Sequence, residues 1–81
     1  MTKEMLVCFR TAAEFEHMTK AADKLYITQS ALSKTIRALE EELEVELFQR
    51  RGRNVELTPA GEAFYRHVVR ALDELEEGIG E

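Results

Sequence analysis

Three observations predict a mainly α-helical domain carrying one small β-hairpin. Apolar residues recur at helical spacing in four separate segments of the 81-residue chain. Two of those segments are separated only by Tyr26-Ile27-Thr28. A glycine- and asparagine-containing tip, Gly52-Arg53-Asn54, lies between two short apolar-flanked runs. Helices joined by so tight a turn cannot lie parallel; they cross steeply as a helix-turn-helix, and the hairpin that follows makes the fold winged.

Each element has its own signal. The first helix is expected over roughly 3–16, with Met5, Leu6, Phe9, Ala12 and Ala13 on one face. Thr19 is the expected N-cap of a short second helix that turns Ala21, Ala22 and Leu25 inward. Thr28 caps a third, from about 29 to 43. Val45, Leu47 and Phe48 lead into Gln49-Arg50-Arg51 and the tip, and Val55-Glu56-Leu57 returns, so the hairpin covers 47–57. Thr58-Pro59 restarts a helix, proline in the first turn where its missing N–H costs nothing, and this helix runs to about Glu77 before Gly78 and Gly80. The winged helix-turn-helix occupies 1–58 and a linker helix 59–81.

Composition narrows the class. At 44% hydrophobic and 33% charged, with one proline and four glycines, the chain is not a disordered one. A domain this small buries only about 60–65% of its unfolded surface, so the core is thin. No apolar run approaches the ~20 residues of a membrane span, and Lys3 and Glu4 follow Met1 where a secretory leader would be apolar. One cysteine, Cys8, cannot close an internal disulfide. A soluble, cytoplasmic protein is expected.

The net charge of −5 first speaks against a polyanionic partner, but the charge is segregated. Residues 18–37 are net +3, 38–48 net −5, and 49–57 net +2. Binding responds to the local field of a patch, not to the total.

The third helix is the most informative segment. Its residues advance by about 100° each. With Ser30 at the origin, Lys34, Arg37 and Ser33 fall near about 40°, 340° and 300°, while Leu32, Ile36, Leu39 and Leu43 gather between about 180° and 240°. Hydroxyls and two cations therefore oppose a clean apolar side. Small hydroxyl residues let backbone approach phosphates closely, Lys34 and Arg37 can reach phosphate or guanine, and Gln29 can pair with adenine. The free N–H groups beyond Thr28 suit a phosphate. An ordinary solvated face is the bland alternative; it would normally mix acids with bases, yet residues 29–38 contain no acid.

Arg50, Arg51 and Arg53 flank Gly52. Arginines on a loop can enter a narrow minor groove, where the potential is most negative. A merely solvated turn, or a pair between Arg50 and one of the glutamates at 40–46, is the alternative; such a pair is worth roughly 0–1 kcal/mol and does not explain three clustered arginines. Glu40, Glu41, Glu42, Glu44 and Glu46 form a solvated surface, or turn this end of the helix from phosphates. The last helix places Phe64, Val68, Ala71 and Leu75, with Leu72, in a stripe suited to helix pairing. That stripe can equally pack on the chain's own first helix, or inward in its early turns and bare in its later ones.

Over roughly residues 5–65 the chain resembles the N-terminal domain of LysR-type transcriptional regulators. The resemblance is carried by Phe9, Ala12-Ala13, Thr19-Lys20-Ala21-Ala22, Leu25 and Thr28-Gln29-Ser30-Ala31-Leu32-Ser33-Lys34, then by Ile36, Leu39-Glu40, Leu43, Leu47-Phe48, Arg50, Arg53, Leu57-Thr58 and Ala60-Gly61. It implies double-stranded DNA as partner, with the third helix in the major groove and Thr28, Gln29, Ser30, Ser33, Lys34 and Arg37 at the DNA. It implies Arg50 and Arg53 on a minor-groove wing, an antiparallel homodimer through the last helix, an inverted-repeat site, and a larger effector-binding domain in full-length members. Ser30 stands where the family often has proline, and Glu16-His17-Met18 replaces a commoner Gly-Ser-Phe-like stretch.

Cys8, His17 and His67 lack the paired spacing of a metal site, and no Ser-His-Asp set, phosphate-cradling glycine loop or buried carboxylate pair is expected. The sequence predicts no enzyme and no cofactor. The rival to DNA binding is a winged-helix module that binds protein, and the two differ in their response to salt.

Overall fold

The computed structural model describes residues 1–80. Helix α1 (Lys3–Phe15), α2 (Met18–Lys24) and α3 (Gln29–Leu43) precede strands β1 (Phe48–Arg51) and β2 (Asn54–Leu57), and α4 (Pro59–Gly80) closes the order. The fold is the expected one: mostly helical, with one antiparallel hairpin.

The caps explain most boundaries. The Thr2 hydroxyl accepts from the Met5 amide at 3.2 Å and starts α1. Thr28 does the same for α3, accepting from Ala31 at 3.1 Å, as expected. Helix α2 differs from expectation, because its cap is His17 and not Thr19. His17 is extended, and its Nδ1 accepts from the Lys20 amide at 3.2 Å, whereas Thr19 already lies inside the helix.

The first three helices end without glycine. Ile27 donates to the Ala22 carbonyl at 3.0 Å and Tyr26 to Asp23 at 3.1 Å, with Tyr26 left-handed at φ 58°. This is the Schellman arrangement. Helix α3 repeats it: Val45 donates to Glu40 at 3.1 Å and Glu44 to Glu41 at 3.3 Å, with Glu44 at φ 55°. Glu16, at φ 49°, ends α1 through a bond from its N–H to Ala12. Helix α4 runs on to Gly80, past the expected stop near Glu77. Neither Gly78 nor Gly80 takes the positive φ that ends a helix, and a helical glycine costs only about 1 kcal/mol relative to alanine.

Phe9 is the centre of the core. Its ring meets Phe64 at 5.3 Å, Phe48 at 5.6 Å and Tyr65 at 6.4 Å between centroids, so α1, β1 and α4 converge on one side chain. Leu32 and Leu39 of α3, Leu47 ahead of β1 and Leu72 of α4 are fully buried around it. The apolar side read from the α3 sequence is the buried side.

Two polar devices fix the base of the hairpin. One carboxylate oxygen of Glu40 accepts from the amides of Leu47, at 2.7 Å, and Phe48, at 3.3 Å. Across from it, Thr58 donates its N–H to Leu47 O at 3.0 Å and its hydroxyl to Glu46 O at 2.7 Å, while the hydroxyl accepts from Gly61 at 3.0 Å. Gly61 makes this approach possible: a Cβ there would stand 2.0 Å from Leu47 O, a backbone atom that cannot step aside. At the tip, Gly52 at φ 62° takes the first central position and Arg53 keeps a negative φ, the sign pattern of a type II′ turn.

Two predictions follow from the hairpin base. Gly61→Ala should destabilise the domain by about 1–3 kcal/mol through overpacking against backbone; an unchanged urea midpoint would show that the α4 start is free to shift. Glu40→Ala should cost a further, separate ~1–3 kcal/mol by stranding two amide donors. It should also speed hydrogen exchange at Leu47 and Phe48 more than at the middle of α1; uniform acceleration would mean that Glu40 holds nothing locally.

Candidate nucleic-acid interface

Helix α3 leaves its buried row Leu32, Ile36 and Leu39 on the core and turns Gln29, Ser30, Lys34 and Arg37 to solvent, with Ser33 half-buried. Thr28 stands at the head of this face, its hydroxyl 3.3 Å from that of Ser30. The N–H groups of the first turn open beside these two hydroxyls, a setting that favours an anion.

The hairpin rises beside α3. Phe48 pairs with Leu57 and Arg50 with Val55, so alternation puts Phe48, Arg50 and Val55 on one face of the ribbon, and Gln49, Arg51 and Glu56 on the other. The first face closes one side of a groove of about 390 Å³, also lined by His17, Thr19, Gln29, Ser33, Arg37 and Arg53. Three expected α3 residues and two expected wing arginines thus meet in one depression. Lys34, Ser30 and Thr28 lie outside it on the exposed surface.

Arg51 belongs elsewhere. It sits on the outer face and pairs with Glu56 at 3.6 Å, and Gln49 donates to the same carboxylate at 3.0 Å. By contrast Lys34, Arg37, Arg50 and Arg53 have no carboxylate partner within 4.0 Å among the described residues. The pair considered between Arg50 and a glutamate of 40–46 does not form. Arg37, Arg50 and Arg53 therefore face one groove from two elements and their fields add there, against one carboxylate that also lines it, Glu40, whose Oε2 is taken by the Leu47 and Phe48 amides.

The groove also contains residues that sequence reasoning did not select: His17, Thr19 and Asn54. In the sequence Thr19 is the expected cap of α2 and part of the family resemblance, and His17 is a rejected metal ligand within a stretch that departs from the family pattern. Their approach to α3 is tertiary, and no periodicity announces it.

Of the glutamates expected as a solvated surface, Glu40 is instead half-buried and used by the hairpin. Glu42 pairs with the Met1 amino group at 2.8 Å. Glu41, Glu44 and Glu46 are exposed.

The pairing stripe of α4 divides in two. Val68 and Leu72 are buried, 3% and 0% exposed, and Phe64 packs on Phe9, so these three serve the chain's own core. Ala71 is exposed and Leu75 is half-exposed, and Ile79, which the sequence reading omitted, extends the bare part at 74% exposure. Arg10 of α1 reaches Glu76 at 3.6 Å, tying α4 to α1 near this transition.

Cys8 has its thiol pKa pushed up, chiefly by burial and further by Glu4, so it stays protonated at neutral pH and is a poor nucleophile. No group of three His, Cys, Asp or Glu residues gathers as a metal site among the described residues. No helix of the described residues is long and apolar enough to cross a membrane.

Comparison with known proteins bears on this geometry. A family profile described as bacterial regulatory helix-turn-helix protein, lysR family, matches residues 4–62. The chain is 46% identical over 78 residues to the uncharacterized HTH-type transcriptional regulator YybE of Bacillus subtilis, covering 96% of this chain and 27% of that protein. It is 42% identical over 71 residues to the HTH-type transcriptional regulator BenM of Acinetobacter baylyi, covering 88% of this chain and 23% of that one. The chain thus spans about a quarter of the length of these relatives, which are described as transcriptional regulators and not as enzymes. Among solved structures, the BenM DNA-binding domain in complex with benA site 1 DNA superposes with a TM-score of 0.94 at 39% identity, covering 99% of this chain and 90% of that one. The CbnR DNA-binding domain in complex with DNA gives 0.91 at 35% identity, covering 96% and 90%. With the profile spanning α1 to the start of α4, this chain belongs to the lysR family of bacterial regulatory helix-turn-helix proteins.

Proposed function

We propose that the chain is a sequence-specific, double-stranded DNA-binding domain of a bacterial transcription regulator, with α3 in the major groove and the hairpin as a minor-groove wing. The observation that carries this reading is the groove in which Gln29, Ser33 and Arg37 of α3 face Arg50 and Arg53 of the hairpin with no carboxylate neutralising any of the three arginines. The likeness to two DNA-bound domains supports it. Helix α3 presents short hydroxyls and an amide where base edges are read, and Lys34, the Thr28–Ser30 hydroxyls and the first-turn amides where phosphates are held. Arg53 at the tip and Arg50 on the inner face supply the wing, with Arg51 held aside by Glu56.

The DNA-bound unit in this proposal is a homodimer on an inverted repeat. Leu75 and Ile79 continue the apolar face of α4 past Leu72, with exposed Ala71 beside it, and a second α4 covers them. The rival reading, a module that binds protein through the same face, needs a partner surface acidic enough to meet three groove-facing arginines.

Band-shift titrations at two salt concentrations test the reading. Duplex affinity should fall steeply as salt rises, with a slope near about −0.9 per neutralised phosphate. Arg53→Ala should weaken binding to all sequences alike and flatten the salt slope by about one, whereas Arg37→Ala should cost about 1–3 kcal/mol of discrimination between sites. Leu75→Glu should lower affinity for a two-half-site duplex and spare a single half-site. No retardation of any duplex at low salt would favour the protein-binding rival.

A further inference from the structure

We infer that Thr19 is a specificity-determining residue: by engaging the amide oxygen of Gln29, it makes Gln29 a hydrogen-bond donor toward DNA and biases it to acceptor-rich base edges. This rests on the proposal that α3 reads the major groove. Thr19 lies in the first turn of α2 and Gln29 is the first residue of α3, ten positions on. The Thr19 hydroxyl donates to Gln29 Oε1 at 3.0 Å. Both residues are exposed and both line the groove. The backbone fixes both ends of the contact: His17 caps α2, Thr28 caps α3, and the Schellman turn at Tyr26 sets the approach of the two helix starts.

The chemistry of the primary amide gives this contact its consequence. A glutamine is ambivalent, since its oxygen accepts and its NH₂ donates, and pairing with adenine needs both at once: the oxygen for N6–H and the nitrogen for N7. Here the oxygen is turned back to Thr19, and the Nε2 group has no hydrogen-bond partner among the described residues. The oxygen keeps a second lone pair, but its position is set by Thr19, whereas both N–H donors of Nε2 are free to turn to DNA. Guanine offers two acceptors, O6 and N7, and thymine offers O4, whereas the amino groups of adenine and cytosine meet donor with donor. The adenine pairing read from Gln29 in the sequence is therefore the one that this arrangement disfavours. Thr19 touches no base itself in this scheme; it is a positioning residue acting through Gln29.

The experiment is selection of duplexes from a random pool by the unaltered chain and by Gln29→Ala, Thr19→Val and Thr19→Ser, each with a check of helicity and melting midpoint. Gln29→Ala identifies the base pair that depends on Gln29. At that position the unaltered chain should favour guanine or thymine over adenine. Thr19→Val keeps shape but has no hydroxyl, so it should shift that one position toward adenine by about tenfold, the scale of one good base contact. Thr19→Ser should restore the original preference, which loss of packing or helix propensity would not predict.

Adenine already preferred by the unaltered chain, an unchanged preference in Thr19→Val, or a Gln29→Ala that weakens all sequences alike would each overturn the inference while leaving DNA binding intact. Failure of every form to retain any duplex at low salt would overturn the DNA-binding proposal and the inference with it.

Discussion

Both basic surfaces of this domain are held in one frame by a carboxylate that sequence reading places among solvated acids. Glu40 stands in the last turns of α3, and its oxygen takes the amides of Leu47 and Phe48 just where the chain leaves the helix for the hairpin. A carboxylate accepting two N–H bonds is a stronger anchor than a neutral acceptor, and it acts here at a half-buried position. Without it the polar hold on the hairpin base would be left to the Schellman turn at Glu44 and the contacts of Thr58, beside the packing of Leu47 and Phe48 on the core. The distance between Arg37 and the wing arginines would then be set by a loop, and fields of separated cations add usefully only when their spacing is kept.

The charge balance has the same logic. A chain of net −5 presents a cationic groove because its acids are occupied or placed elsewhere. Glu40 is bound to backbone amides, Glu56 to Arg51 and Gln49, Glu42 to the amino terminus and Glu76 to Arg10. Each pair on the surface is worth little as stability. Their effect is on the map of the field: Glu42, Glu56 and Glu76 pair away from the groove, Arg51 pairs with Glu56 on the outer face, and Glu40, the one acid lining the groove among the described residues, is bound to backbone amides and to none of the arginines. Net charge counted along the sequence misses this, because it weighs every residue equally.

The sequence made the helices legible because the apolar period and the hydroxyl caps are local signals. Helix α3 matches its expected bounds, its buried row is the expected row, and Thr28 is its cap. The same holds for the hairpin, whose tip carries the one glycine with positive φ. What could not be read was tertiary. An imidazole caps α2 because the chain arrives extended at His17, and nothing in the letters separates that from a cap two residues later. The left-handed ends at Glu16, Tyr26 and Glu44 carry no glycine to mark them. In the site, Arg50 and Arg53 were legible as a cluster, but that Arg51 faces away depends on strand register, and that Thr19 reaches Gln29 depends on two helix starts meeting.

Helix α4 shows how one apolar period can hold two functions. The face that carries Val68 and Leu72 continues to Leu75 and Ile79 with no break in its chemistry. What changes is the support beneath it. Leu72 is the last buried residue of α4 among the described residues, and the Arg10–Glu76 pair ties the helix to α1 one turn further on. Twenty-two residues of helix span about 33 Å, more than the core can cover from one side. Past that point the same residues that would be core become a surface, and acidic neighbours Asp73, Glu74 and Glu77 keep the flanks wet. A seam of this kind favours a partner helix that brings equal apolar width, and in the proposed dimer a second copy of α4 running the opposite way would supply it. Such a pair would set the separation of two α3 helices by the length of α4 and not by any contact between the winged domains. Half-site spacing on DNA then becomes a property of where the core stops.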